Sequence, residues 1–427
     1  MSAARRLTDP LEAGAALDAA APALIEDGRV LSHQDLLVQV DALASLLQRW
    51  LSPGDRSATG RIGPRVGVCA LNSMRHVIAV LAIFRAGAVW VPINPHHGPE
   101  INRTLIRQAD LDLLLIEADC APAVGTGSVS ALLIDEGGEL DRHLNRALGD
   151  RPGMVPEGAE DIVCIRFVGI PEGRFRGILL PARCFLGVQL TLERLFAPVA
   201  ADLSLLAAPL SEDAVHFVLP VLGAGGAHRL LRHAGPAGIL DALRQEVTLA
   251  YLPPALVPLL LGEGDFAPSD FPALRHLACG AGGLPPGLAA RARERFGPRL
   301  STLFGLPEAP LTVAALGGAE MGETGPGASV GPPCEGSRIA LLEPDGVLRQ
   351  EPGAVGEVVV AGDLVMAGYL NAPVETDAAF HEGWLRTGEV GALDARGHLM
   401  LGERAVSTAA TTDDGWPADR RRHTLNA

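Results

Sequence analysis

The chain has 427 residues, 48% of them hydrophobic, and a formal net charge of −15, enough for two or three subdomains with sizeable cores and the wrong sign for a nucleic-acid surface. All 35 basic residues are arginines, so chemistry that needs a primary ammonium cannot run on this chain's own side chains. Six cysteines (Cys69, Cys120, Cys164, Cys184, Cys279, Cys334) stand far apart without a C-x-x-C pair, no basic-then-apolar leader opens the chain, and Pro, Gly or charges break every long apolar run; a cytoplasmic protein with buried free thiols and no membrane span is expected.

In chain order, the first twenty residues carry no periodic signal. Ser32 with Asp35 three positions on makes a capping-box-like start, and Leu36, Leu37, Val40, Leu43, Ala44 and Leu47 fall on one helical face. Residues 65–71 then read as a buried strand, 74–85 as an apolar-faced helix, 87–93 as a strand, 100–109 as a helix and 111–116 as a strand. Alternation of this kind predicts a parallel sheet.

A second α/β unit opens near Asp161, where residues 161–180 are strand, loop and strand; without further context the loop is a hairpin with a charged tip. Residues 203–209 read as a strand, and the apolar run 217–222 leads into Gly223-Ala-Gly-Gly226. His216, just before that run, reads as a stray histidine at a helix start. Residues 274–278 form a strand that ends in Cys279-Gly-Ala-Gly-Gly-Leu284, and Leu303-Phe-Gly-Leu-Pro-Glu308 follows. Small residues allow a flat ring to lie on backbone, although many strand-to-helix turns are glycine-rich.

The stretch Gly356–Arg404, just before the tail, is the densest. Residues 357–360 are a short β-branched strand, Thr376 can cap a short helix, Asp394-Ala-Arg-Gly397 is a turn and 398–401 a second strand. Thr387-Gly-Glu389 sets a hydroxyl, a permissive backbone and a carboxylate side by side. A carboxylate there can accept both hydroxyls of a ribose, but T-G-E by itself reads first as a solvated hairpin turn.

Together these motifs resemble the adenylate-forming acyl-activating family, which comprises acyl- and aryl-CoA synthetases, luciferases and peptide-synthetase adenylation domains. The resemblance spans residues 20–404 and rests on Arg85–Pro95 (R-A-G-A-V-W-V-P-I-N-P), Gly356-Glu357, Gly368-Tyr369, Pro373, Thr376, Gly383-Trp384, Thr387-Gly388 and Arg404. It implies an α/β fold of the acyl-CoA synthetase large-domain type: a first α/β subdomain at 1–155, a second at 156–325, a β-rich third at 326–404 and a polar tail at 405–427. It also implies ATP or AMP with Mg²⁺ as ligands, a carboxylic acid or acyl group as substrate, and CoA or a carrier-protein thiol as acceptor.

Carried over residue by residue, the resemblance gives Gly280, Ala281 and Gly282 to the adenine turn, with Phe304 and Gly305 where the family's aromatic-glycine pair stands. Glu308 falls at the Mg²⁺-binding carboxylate, and Glu389 (Asp in the family) with Arg404 at the ribose. In the phosphate loop [YF]-T-S-G-T-T-G-x-P-K-G, Phe167, Gly173 and Gly177 are kept and Arg176 stands at the lysine. Val168, Gly169, Ile170, Pro171 and Glu172 replace the donors, and Pro307 replaces a threonine. Glu212 holds the place of a histidine near the acyl pocket. Val406 and Ser407 occupy the hinge, and the tail is too short for the family's small C-terminal domain. Arg176 and Glu308 are therefore the expected catalytic residues of a degenerate or accessory member. A working carboxylate-activating ligase completed by a partner chain, and a structural subunit that binds no small molecule, are the two alternatives.

Overall fold

The computed structural model describes residues 6–51, 56–57, 60–125, 129–155, 157–170, 174–233, 235–280, 284–318 and 328–402. The chain groups into two compact units, one built from Met1–Phe167 and Leu179–Gly235, the other from Val168–Ile178 and Pro236–Asn426. The break at 235 falls inside the expected second subdomain.

In the first unit, Val89–Pro92, Arg65–Cys69, Leu113–Ile116 and Ala131–Leu133 lie side by side, all parallel. The buried apolar runs of Val89–Pro92 and Leu113–Ile116, and of 66–69, suit strands covered on both faces, and helices carry the chain back between them. The helix Met74–Ala86 begins where Ser73 Oγ accepts from His76 N at 3.1 Å, and stops where Gly87 turns left-handed at φ 72°. His33–Trp50 begins as the sequence suggests: Ser32 Oγ accepts from Asp35 N at 3.1 Å and donates to Asp35 Oδ2 at 2.7 Å. Ahead of it, Pro22–Glu26 and Arg29–Ser32 form a hairpin across Asp27 and Gly28, both at positive φ. Pro22–Glu26 also pairs in parallel with Ala227–Leu230, which pairs with Leu203–Leu206.

The opening residues depart from expectation, because Asp9–Leu17 is helical. Nine residues are too few for a helix to stand on its own propensity. Contacts distant in sequence hold it: a Cβ at Gly14 would meet Leu222 O at 2.2 Å and His33 Nδ1 at 2.8 Å, an approach that only glycine permits.

In the second unit, Leu249–Leu252, His276–Cys279 and Leu300–Leu306 run parallel, and Ala309–Leu316 returns antiparallel to the last. A separate antiparallel sheet has the order Ala328–Gly331, Leu399–Leu401, Trp384–Leu393, Val355–Gly362, Ser337–Leu342, Leu348–Arg349. The fold is α/β with an added antiparallel sheet, as expected. All six cysteines are buried and unbridged, and burial pushes the Cys164, Cys279 and Cys334 thiols up to about 12. No helix among the described residues is long and apolar enough to cross a membrane.

Candidate functional site

Arg176 lies on the strand Arg174–Pro181, whose neighbour is the short strand Gly368–Tyr369; Leu370 N donates to Gly177 O at 2.8 Å beside it. The pairing sets the Arg176 guanidinium over the Tyr369 ring, 4.6 Å from its centroid, a cation held on an aromatic face. Among the described residues no carboxylate forms an ion pair with Arg176. The tip of the hairpin, with Pro171, Glu172 and Gly173, lies outside the described residues.

Tyr369 is the hinge of the arrangement. Its ring is buried and its hydroxyl donates to Glu308 Oε1 at 2.9 Å. Its backbone N–H donates to Thr376 Oγ1 at 2.9 Å, and that hydroxyl donates to Ala372 O at 2.8 Å. Thr376 therefore sits inside the helix Pro373–Ala378, with Ala372 at the cap position. The expectation that Thr376 caps this helix is corrected, because its hydroxyl is committed to Tyr369 and to the preceding turn. Gly368 fits because its φ is 146° and a Cβ would meet the Thr376 methyl at 2.8 Å.

Glu308 is only 5% exposed. Its backbone oxygen accepts from Met366 N at 2.8 Å while its carboxylate takes the tyrosine hydroxyl. No group of three His, Cys, Asp or Glu side chains that could hold a metal ion occurs among the described residues. Mg²⁺ demands near-octahedral oxygen ligands and parts reluctantly with water. At such sites it is held by one or two carboxylates together with water and substrate phosphates, so the donor type of Glu308 suits the ion, and the Tyr369 hydroxyl competes for its Oε1.

Phe304 and Gly305 are on the strand Leu300–Leu306. Phe304 is fully buried, so its ring offers no face to solvent. A Cβ at Gly305 would meet Leu311 N at 2.2 Å, because the return strand folds back tightly with Leu311 at φ 58°. At Gly280 a Cβ would meet Leu311 Cδ1 and Tyr251 Cε2, each at 2.8 Å. One leucine thus fills the Cβ side of both glycines. Ala281 and Gly282 lie outside the described residues.

The T-G-E stretch is not a turn. It lies within the ten-residue strand Trp384–Leu393, where Thr387 is buried and donates to Val358 O at 2.6 Å. Gly388 N donates to Glu357 Oε1 at 3.0 Å, and Glu389 N to Thr387 Oγ1 at 3.0 Å. Arg404, the other expected ribose contact, lies outside the described residues.

Arg176 and Glu308 are thus brought together through Tyr369, and Gly280 and Gly305 through Leu311; Glu389 belongs to a network of its own. Along the chain Tyr369 is a motif residue without a role, and Leu311 stands in no motif. The G-Y pair was the available signal for the first, and nothing local marks the second.

In the first unit, Glu212 is exposed and accepts from Asn94 Nδ2 at 3.2 Å, while Arg166 Nη1 donates to Asp213 Oδ1 at 2.6 Å. His216 lies in the 3₁₀ turn Asp213–Phe217, packed on Phe185 with ring centroids 4.7 Å apart. Burial pushes its ring down to about 4, so it is neutral at pH 7.

Residues 11–370 match the family described as AMP-binding enzyme. A feruloyl-CoA synthase from Amycolatopsis sp is 30% identical over 393 residues, covering 90% of this chain and 75% of that one. The N-terminal domain of FACL13 from Mycobacterium tuberculosis superposes with a TM-score of 0.79 at 19% identity, covering 93% of this chain and all of that domain. The amide bond synthetase McbA from Marinactinospora thermotolerans gives 0.76 at 25% identity, over 94% of this chain and 79% of that one.

Proposed function

Because the chain belongs to the AMP-binding enzyme family, we propose that it is an acyl-CoA synthetase-like accessory protein that holds an adenylate-type anion without forming one by itself. Members of that family use ATP, Mg²⁺ and CoA and bind carboxylic acids. Adenylation requires the attacking carboxylate and the triphosphate to be aligned while the charge that builds up is neutralised.

The observation that carries this reading is the state of Glu308, 5% exposed and bonded at 2.9 Å to the Tyr369 hydroxyl. A cation at that oxygen has to compete with the phenol hydroxyl. No lysine exists anywhere in the chain to neutralise phosphate, and each missing electrostatic donor typically costs about 10²–10³ in rate. Arg176, standing at the lysine position, is an anion handle of the loop motif, held on Tyr369 at 4.6 Å. Its planar fork suits a monophosphate or carboxylate in two-point contact. Glu389 is placed at the sugar hydroxyls in this reading.

A second reading keeps the same residues in a working ligase, with Arg176 clamping phosphate and a partner chain or carrier protein supplying the missing cation and acceptor thiol. Arg176 favours it too. Two measurements separate them. Calorimetry on the isolated chain should show AMP binding at least as tightly as ATP, and substrate-dependent pyrophosphate exchange should stay at background with fatty, aryl and amino acids. ATP at least tenfold tighter than AMP, or turnover on the order of 1 s⁻¹, would establish the ligase instead.

A further inference from the structure

The strands Val355–Gly362 and Trp384–Leu393 do not pair evenly. Val359 faces Arg386 and Glu357 faces Val390, so Thr387, Gly388 and Glu389 all lie opposite Val358. Such a bulge leaves backbone groups without ladder partners and re-aims the side chains it carries.

Side chains supply the missing partners here. Glu357 Oε1 accepts from Gly388 N at 3.0 Å, and Oε2 accepts from Arg386 Nε at 3.1 Å and Nη2 at 2.8 Å. One carboxylate thus ties the residue before the bulge to its middle. Thr387 Oγ1 ties the end, bonding Val358 O and Glu389 N. Arg386 is itself fixed, its N–H donating to Ala379 O at 2.9 Å. The Glu357 side chain is 18% exposed and that of Arg386 33%, so the two-point contact is partly shielded from water. Gly388, at φ 69°, supplies the left-handed step that lets its N–H turn toward the carboxylate.

We infer that Glu357 and Arg386 are a positioning pair: they hold the bulge so that the Glu389 carboxylate is presented to the two hydroxyls of a ligand's cis-diol. This rests on the reading of Glu389 as a sugar contact. Neither residue of the pair touches the ligand in it; Glu357 acts through Gly388 N, and the ligand class is a nucleoside with both ribose hydroxyls free.

The test uses the full chain, with Glu357→Ala, Glu357→Gln and two readouts. The first needs no ligand: in Glu357→Ala the Gly388 and Glu389 amides should exchange hydrogen at least tenfold faster, with Val358 to Val360 unchanged. That factor is about what losing a hydrogen bond to a charged acceptor gives. The second compares adenosine with 3′-deoxyadenosine by calorimetry. Glu357→Ala should weaken adenosine about tenfold and 3′-deoxyadenosine less than twofold, so the preference between them collapses. Glu357→Gln keeps an acceptor for Gly388 N and should restore much of that preference. Equal losses for the two nucleosides, or unchanged amide exchange, overturn the positioning role. Wild-type chain that binds both nucleosides equally overturns the diol contact, and wild-type chain that binds neither sinks the nucleotide reading with it.

Discussion

Tyr369 joins the two expected catalytic residues with opposite ends of one side chain, its ring under Arg176 and its hydroxyl on Glu308. The two contacts differ in energy, so they can be pulled apart. Tyr369→Phe keeps the aromatic face and removes a hydrogen bond to a carboxylate, which should lower unfolding free energy by about 1.5–3 kcal/mol. Arg176→Ala removes a half-exposed cation–π contact and should cost only about 0.5–1 kcal/mol, yet abolish AMP binding. Denaturant titration and calorimetry on the two variants check both halves. An Arg176→Ala chain that still binds AMP would place the anion elsewhere.

Among the elements, close strand approaches decide more than propensity does. The strand Leu300–Leu306 and its return partner come so near that a Cβ at Gly305 would strike the backbone of Leu311 at 2.2 Å. At Gly368 the obstacle is the Thr376 side chain at 2.8 Å, combined with φ 146°. A side chain can yield and a paired backbone cannot. Gly368→Ala should therefore cost about 1–3 kcal/mol, and Gly305→Ala more than about 3 kcal/mol, with the strand pair forced apart. Urea midpoints that reverse this order would show that the turn at Leu311 yields more readily than its geometry suggests.

At the scale of the whole molecule, acid sensitivity follows from buried histidines, His216 and His228 among them. Burial pushes His216 and His228 down to about 4 from an ordinary value of 6.5, so both are neutral in the native protein and must lose nothing until the pH drops. The unfolded chain takes up protons near 6.5, the native chain only near 4. Between those values the unfolded state binds more protons, and stability falls as pH falls. The contribution is intact above 6.5 and lost progressively down to about 4, at on the order of 1.4 kcal/mol per pH unit for each ring. Unfolding free energies measured at pH 7 and pH 5 should differ accordingly, and His228→Gln should flatten the profile. His228 has a role in packing as well, since its Nε2 lies 3.0 Å from Val218 O, so the slope rather than the absolute stability is the diagnostic quantity.

Local patterns determined the α/β alternation, the helix start at Ser32, a strand opening at Arg65 and the family resemblance, because caps, apolar runs and turn residues act over a few positions. The helix Asp9–Leu17 escaped such reading because its support comes from Leu222 and His33. So did the partnership of Tyr369 with Glu308, 61 residues apart in sequence, which gives the carboxylate expected at Mg²⁺ a phenol hydroxyl as partner. T-G-E reads as a turn along the chain and becomes a bulge only when Val355–Gly362 lies beside it with Glu357 at the right height. The sequence by itself settled which residue types stand at each motif; tertiary packing decided whether their polar groups are committed to one another, since that depends on neighbours distant along the chain and on how much water they exclude.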